Sequence, residues 1–309
     1  MSKNHVVGFA IVFVLLAALV LGNIQAVRAG KPTPPPPPPI PTPAPIPAGL
    51  RAGLRASNYG ITPWPDSTWW VNSINSMASR FPTSTGSGVF VVVETAGRGP
   101  DCWAHFPNPD GGTYPGVQFD TVDMAEPDFA AFDTAGIKVW LQVEPSACDV
   151  PMLIDILWKQ YGDHSSVIGF GVDAEWYLNR SYKNGKPVTD AEAAAWVAKA
   201  RTYNSNYKVF LKHWLQDRMP PTYRTGLVFI DDSQGFGSLS AMVTEFTAWG
   251  QHFAPSPVGF QFGYASDKRW WSALSNPPRY IGNEILDDVP NTSDLVWVDF
   301  TAYDIWPPQ

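Results

Sequence analysis

The chain has little from which to build a metal centre. It carries five histidines and two cysteines, and no histidine stands at ligand spacing from either cysteine. Neither a catalytic metal nor a cofactor is expected. Positive charge is scarce: 21 Lys and Arg against 28 Asp and Glu leave a net charge of −7, the wrong sign for a nucleic-acid partner. No glycine-rich phosphate turn follows an early apolar run, which counts against an open dinucleotide-binding sheet. A Gly-x-Ser-x-Gly turn for a serine esterase is also missing. Beyond Val27 no apolar run approaches the roughly 20 residues that span a bilayer.

The one long apolar run is Val6 to Val27, behind Lys3 and broken only by Asn23 and Gln25. Val27-Arg28-Ala29 then offers a signal peptidase the residues it reads. Residues 1–29 therefore read as a signal peptide or as an uncleaved N-terminal membrane anchor. Either one makes the protein secreted or extracellular, with no other tie to a membrane. Residues 30–47 are mostly proline and suit an extended spacer. Residues 48–309 make one domain of α/β-barrel size, expected to be a monomer. In an exported chain Cys102 and Cys148 should form a disulfide.

Eight short apolar runs recur through this domain: Leu54–Thr62, Gly88–Ala96, Ile137–Pro145, Val167–Trp176, Tyr207–Leu215, Gly226–Ser233, Val258–Ala265 and Asp294–Ala302. Helical stretches separate most of them, at Ser67–Phe81, Asp123–Ala135, Pro151–Tyr161, Asp190–Tyr203 and Leu239–Phe253. Pro220-Pro221 leaves little helix after the fifth run, and the segment after the seventh is weak as well. Eight strands alternating with helices predict a single (β/α)8 barrel.

In such a barrel the chemistry sits at the C-terminal ends of the strands, and there the runs turn polar. Glu94 ends the second, Gln142 and Glu144 the third, Asp173 and Glu175 the fourth, Lys212 and His213 the fifth, Asp231 and Asp232 the sixth. Gln261 and Tyr264 lie on the seventh and Asp299 on the eighth. Alternation sends Gly169, Gly171, Asp173 and Glu175 inward and Ile168, Phe170 and Val172 outward. It likewise puts Trp140, Gln142 and Glu144 inside, and Trp297 on the same face as Asp299. Converging carboxylates repel, which raises some of their pKa values and suits a general acid. The 14 tryptophans exceed what a core needs. Trp176 and Trp214, beside polar strand ends, are candidates to line a cleft.

Carboxylates and aromatics in an exported barrel point to glycoside hydrolysis, with Glu175 as the acid and Asp173 assisting. The seventh strand has no acid to serve as a carboxylate nucleophile. Substrate assistance by an N-acetyl group is left, with Asp173, Gln261 or Tyr264 holding that group. The other route uses Asp231, Asp232 or Asp299 as base or nucleophile. Substrate contacts are expected from Glu94, Gln142, Glu144, Trp176, Trp214, Asp231, Asp232, Gln261, Tyr264 and Asp299.

The run Val167-Ile-Gly-Phe-Gly-Val-Asp-Ala-Glu-Trp176 resembles the fourth-strand Asp-x-Glu signature of chitinase-like and endo-N-acetylglucosaminidase barrels. It is also similar to the corresponding strand of barrel-type lysozymes. The resemblance implies an acid at Glu175 and an assisting Asp173, and a carbohydrate polymer or oligosaccharide as partner. It departs at Ile168 and Gly171, where chitinases carry aspartates. It departs again at Ser57-Asn-Tyr-Gly60, where the lysozymes have an aspartate. A catalytically silent barrel that binds glycan or cell-wall polymer is the alternative.

Overall fold

The structure is a computed structural model describing residues 47–96 and 101–308. The signal or anchor segment, all of the spacer but Pro47, and residues 97–100 lie outside the described residues. Among those described, no helix is long and apolar enough to cross a membrane.

Ten strands follow in order: β1 (Arg51–Ala56), β2 (Thr85–Thr95), β3 (Cys102–Ala104), β4 (Val117–Phe119), β5 (Lys138–Val143), β6 (Val167–Asp173), β7 (Lys208–Lys212), β8 (Leu227–Asp231), β9 (Val258–Phe262) and β10 (Thr292–Trp297). All but β3 and β4 are parallel, each beside the next, and β1 pairs with β10 to close the ring. This is the expected (β/α)8 barrel. β3 pairs antiparallel with the end of β2, and β4 lies parallel to β3. A disulfide joins Cys102 on β3 to Cys148 in the loop after β5, tying this extension to the third barrel strand.

The helices are α1 (Ser67–Ala78), α2 (Glu126–Ala135), α3 (Val150–Tyr161), α4 (Asp190–Arg201), α5 (Leu239–Phe253), α6 (Lys268–Trp271), α7 (Pro277–Asp288) and α8 (Ala302–Ile305). Their starts follow local chemistry. Asp66, Asp149 and Ser238 cap α1, α3 and α5 with side-chain oxygens, and Thr189 forms a capping box with Glu192 on α4. Gly136, at φ 71°, ends α2. After β7 only a short 3-10 turn, Gln216–Arg218, forms. The segment after the seventh strand was expected to be weak, yet it holds the full helix α7. Pro277 and Pro278 occupy first-turn positions that need no N–H donor, and Ile281, Ile285 and Leu286 bury its inner face.

Two apolar layers hold the barrel. Inside lie Val89, Trp140, Phe210, Val228, Ile230 and Val296, while the larger cluster fills the space between strands and helices. The bounds of the first strand, expected at Leu54–Thr62, and two expectations of facing need correction. β1 begins at Arg51 and ends at Ala56, so its inward residues are Arg51, Gly53 and Arg55, because Ala52, Leu54 and Ala56 belong to the outer layer. Ile168 packs against the inner cluster instead of the helices. The β5–β6 register slips between Val167 and Gly169, and such a bulge turns the side chain over. Trp297 lies in the outer layer, edge-on to Trp271 and Phe262, whereas Asp299 points into the mouth. β10 ends at Trp297 and a 3-10 turn follows, so strand alternation no longer applies there.

Candidate active site

The barrel mouth gathers a connected set of charged groups. Arg55, at the end of β1, donates to Asp299 Oδ1 at 2.6 Å and to Ser57 Oγ at 3.0 Å, while Ser57 donates to Asp299 Oδ2 at 2.6 Å. The same guanidinium donates to the Tyr59 hydroxyl, which in turn donates to Glu144 Oε1. Across the mouth Lys212 bridges two acids. It lies 2.7 Å from Asp173 Oδ2 and also pairs with Asp232 Oδ2. Gln142 Nε2 approaches Asp173 Oδ2 at 3.4 Å, and the Glu175 backbone N–H donates to Asp173 Oδ1 at 3.3 Å. Tyr264 closes the set with a 3.5 Å contact to Gln261 Oε1.

Nearly all of these groups are buried, at 6% exposure or less for Glu144, Asp173, Lys212, Asp232, Gln261, Tyr264 and Asp299. Burial lowers the Lys212 pKa, but Asp173 and then Asp232 raise it further, so the ammonium stays charged. Two acids sharing one cation leave a surplus of negative charge. Burial lifts Asp173 well above the usual carboxylate range despite Lys212, with Asp232 and Glu144 adding to the rise. Burial also raises Glu144, against its Tyr59 hydrogen bond and Arg55.

Glu175 stands apart. It sits in the short turn after β6, Ala174–Trp176, and is only partly buried. Among the described residues its carboxylate has no hydrogen-bond or ion-pair partner. Burial raises its pKa to about 7, opposed by Lys212 and reinforced by Asp232 and Glu144. A carboxylic acid that holds its proton near neutrality beside a set of locked charges can donate that proton.

The structure thus brings together Gln142, Glu144, Asp173, Glu175, Asp232, Gln261, Tyr264 and Asp299. Trp176 and Trp214 are half-buried next to strand ends, with the Trp214 ring 4.2 Å from that of His213. Two expected contacts are not brought in. Asp231 follows Leu227 and Phe229 on the outer face of β8. There it accepts from the Ser233 N–H at 2.8 Å, and Ser233 bonds Glu245 of α5. Glu94 turns to the β3 extension, 3.3 Å from His105 Nε2. Asp231-Asp232 looked symmetrical in sequence, but only one of two adjacent strand residues can face the mouth.

Arg55, Ser57 and Tyr59 were missed as site residues. The signal was available: a lone arginine between Leu54 and Ala56, aligned with Gly53. Placing the first strand too late hid it. Gln142 Oε1, Gln261 Nε2 and Asp232 Oδ1 are buried with no protein partner, as happens where a ligand or water completes the bonding. The grooves on the surface lie elsewhere: one of about 670 Å³ between α1 and the C-terminal Trp306–Pro308, and one of about 720 Å³ between α5 and α7.

No family model matches the chain, and no curated protein sequence matches it. Several solved structures align with parts of it at low similarity. A putative alpha-L-fucosidase from Bacteroides thetaiotaomicron VPI-5482 aligns with a TM-score of 0.49 and 10% identity over 82% of this chain and 89% of that one. An FMN-binding beta-glucuronidase from Facaelibacterium prausnitzii L2-6 aligns at 0.43 and 13% over 59% of this chain. The chain covers about a third of that glucuronidase's length (32%). A putative lyase/mutase from Burkholderia cenocepacia J2315 aligns at 0.44 and 11% over 83% of this chain and 79% of that one. The neighbours thus include glycosidases and other enzymes, and at such identities and TM-scores they assign no role to any residue of the mouth.

Proposed function

We propose that this protein is a glycoside hydrolase acting outside the cytoplasm on an N-acetylhexosamine-containing polysaccharide or glycan, with Glu175 as the general acid. The observation that carries the reading is the contrast at the mouth. Asp173, Asp232 and Asp299 are each tied to a buried cation, whereas Glu175 is, among the described residues, unpaired and half-buried, with burial raising its pKa to about 7. Glycoside cleavage needs one such donor for the leaving oxygen. The inner face of β9 offers Gln261 and no carboxylate, so substrate assistance supplies the second half of the reaction. The carbonyl oxygen of the 2-acetamido group attacks the anomeric carbon as the bond to the leaving oxygen breaks and Glu175 gives up its proton. Water then adds to the anomeric carbon, passes a proton to Glu175 and reopens the cyclised group. The Asp-x-Glu resemblance favours the same class of substrate.

The test is incubation with chitin oligosaccharides, peptidoglycan and neutral polysaccharides, read by mass spectrometry. Cleavage of an N-acetylated substrate is expected, and Glu175→Gln should lower its rate by about 10²- to 10⁴-fold. Cleavage confined to sugars without an acetamido group would remove substrate assistance. Binding without any cleavage would favour a glycan-binding barrel.

A further inference from the structure

Asp173 and Asp232 compete for the role of the carboxylate that meets the substrate, and the structure separates them. Both oxygens of Asp173 are engaged: Oδ2 faces Lys212 at 2.7 Å and Gln142 at 3.4 Å, and Oδ1 accepts the Glu175 N–H at 3.3 Å. The residue is 1% exposed. It braces the turn that carries Glu175, and each of its oxygens already faces a protein donor. Asp232 differs. Ile230, two residues before it, lies in the inner cluster, so Asp232 enters the mouth from β8. Its Oδ2 is pinned by Lys212, while its Oδ1 is buried and unpartnered. That is an oriented acceptor without a donor. Gln261 Nε2 is a buried donor without an acceptor, and Tyr264, its neighbour, interacts electrostatically with Asp232. An amide presents the converse pair, an N–H donor and a carbonyl acceptor.

We infer that Asp232, held by Lys212, accepts the N–H of the substrate's 2-acetamido group and directs its carbonyl oxygen onto the anomeric carbon, while Asp173 only positions Glu175. This rests on the glycosidase reading above. As the carbonyl oxygen bonds to the anomeric carbon, the glycosidic bond breaks and the Glu175 proton moves to the leaving oxygen. The positive charge that develops on the cyclised group is offset by Asp232, which can take the N–H proton. Attack by water, deprotonated by Glu175, reopens the ring, and the proton returns from Asp232 to nitrogen. Atoms and charge balance without a further reactant. Lys212 orients Asp232 and touches no reacting atom.

The experiment compares the full chain with Asp232→Asn, Asp232→Ala and Asp173→Asn on an N-acetylated chitin oligosaccharide and on its N-fluoroacetyl analogues. It also measures binding of the thiazoline analogue of the cyclised sugar, with thermal unfolding of each variant as the folding check. In the parent, rate should fall as fluorine makes the carbonyl a poorer nucleophile. Asp232→Asn should lose on the order of a hundredfold in kcat and weaken thiazoline binding in parallel, and Asp232→Ala should lose at least as much. Asp173→Asn should bind the thiazoline nearly as the parent does, and lose rate with a displaced pH profile. If Asp232→Asn and Asp232→Ala fold and keep thiazoline affinity within about threefold while Asp173→Asn loses it, the assignment is overturned and the glycosidase reading stands. If the parent neither cleaves the N-acetylated substrate nor binds the thiazoline, the N-acetylhexosamine reading on which the assignment rests falls.

Discussion

Glu175 and Asp173 are two residues apart on one strand end, yet their surroundings give them different chemistry. Asp173 is enclosed and shares Lys212 with Asp232, whereas Glu175 faces partly into water with no cation of its own. Burial is the main cause of the Glu175 shift to about 7. The sign follows: an acid that must be protonated to act works below that value and is lost above it. We therefore expect kcat to fall roughly tenfold per pH unit on the alkaline side of about 7. A pH–kcat profile checks this, and an alkaline limb near the ordinary glutamate value would remove burial as the cause. The same shift bears on folding. The folded state holds this proton more tightly than the unfolded chain, so the stability it contributes is full below the unfolded value and fades as pH rises toward 7.

At the scale of the element, β6 shows how space is made for the mouth. A side-chain carbon on Gly171 would lie 2.0 Å from the Phe210 ring, and one on Gly169 would lie 2.2 Å from the Lys208 carbonyl. Gly169 and Gly171 carry no side chain, so Phe210 and Trp140 can fill the barrel floor, edge to face at 5.5 Å. Gly171→Ala should therefore cost about 1–3 kcal/mol by overpacking. Urea unfolding measures it, with Gly237→Ala, where nothing lies within 4 Å, as the near-neutral control. Equal effects at the two sites would remove the packing explanation. The alternation of β6 made this strand end readable in sequence. Its bulge at Gly169 was not readable, because a register slip depends on the neighbouring strand and leaves no mark in the run itself.

For the whole molecule the critical seam is β1 against β10, where the last strand meets the first. Arg51 binds Asp294 through two 2.7 Å hydrogen bonds, and Asp294 also accepts from the Trp140 indole at 3.1 Å and from Ser293 at 2.7 Å. Asp294 is 1% exposed. Burial alone would raise its pKa, but Arg51 outweighs this and holds it below the usual value. The stability it contributes is present above its unfolded value and is lost as pH falls through the folded one. Asp294→Asn leaves the arginine unpaired at the closure and should cost about 3–5 kcal/mol, measured by denaturant unfolding. A loss under 1 kcal/mol would show that the seam is held by its backbone ladder instead.

The order of eight strands, the barrel, the disulfide pairing and the positions of Asp173, Glu175, Gln142 and Glu144 at strand ends were all legible in the chain. They depend on periodicity within a few residues and on redox context. What needed the tertiary structure was who faces whom. Arg55 meets Asp299 across 244 positions, Lys212 reaches both Asp173 and Asp232, and Asp231 turns away while its neighbour turns in. Local alternation assigns a side chain to a face, but the charge it meets there comes from strands far away in sequence. Burial then decides which acid keeps its proton, and burial exists only once the barrel has closed.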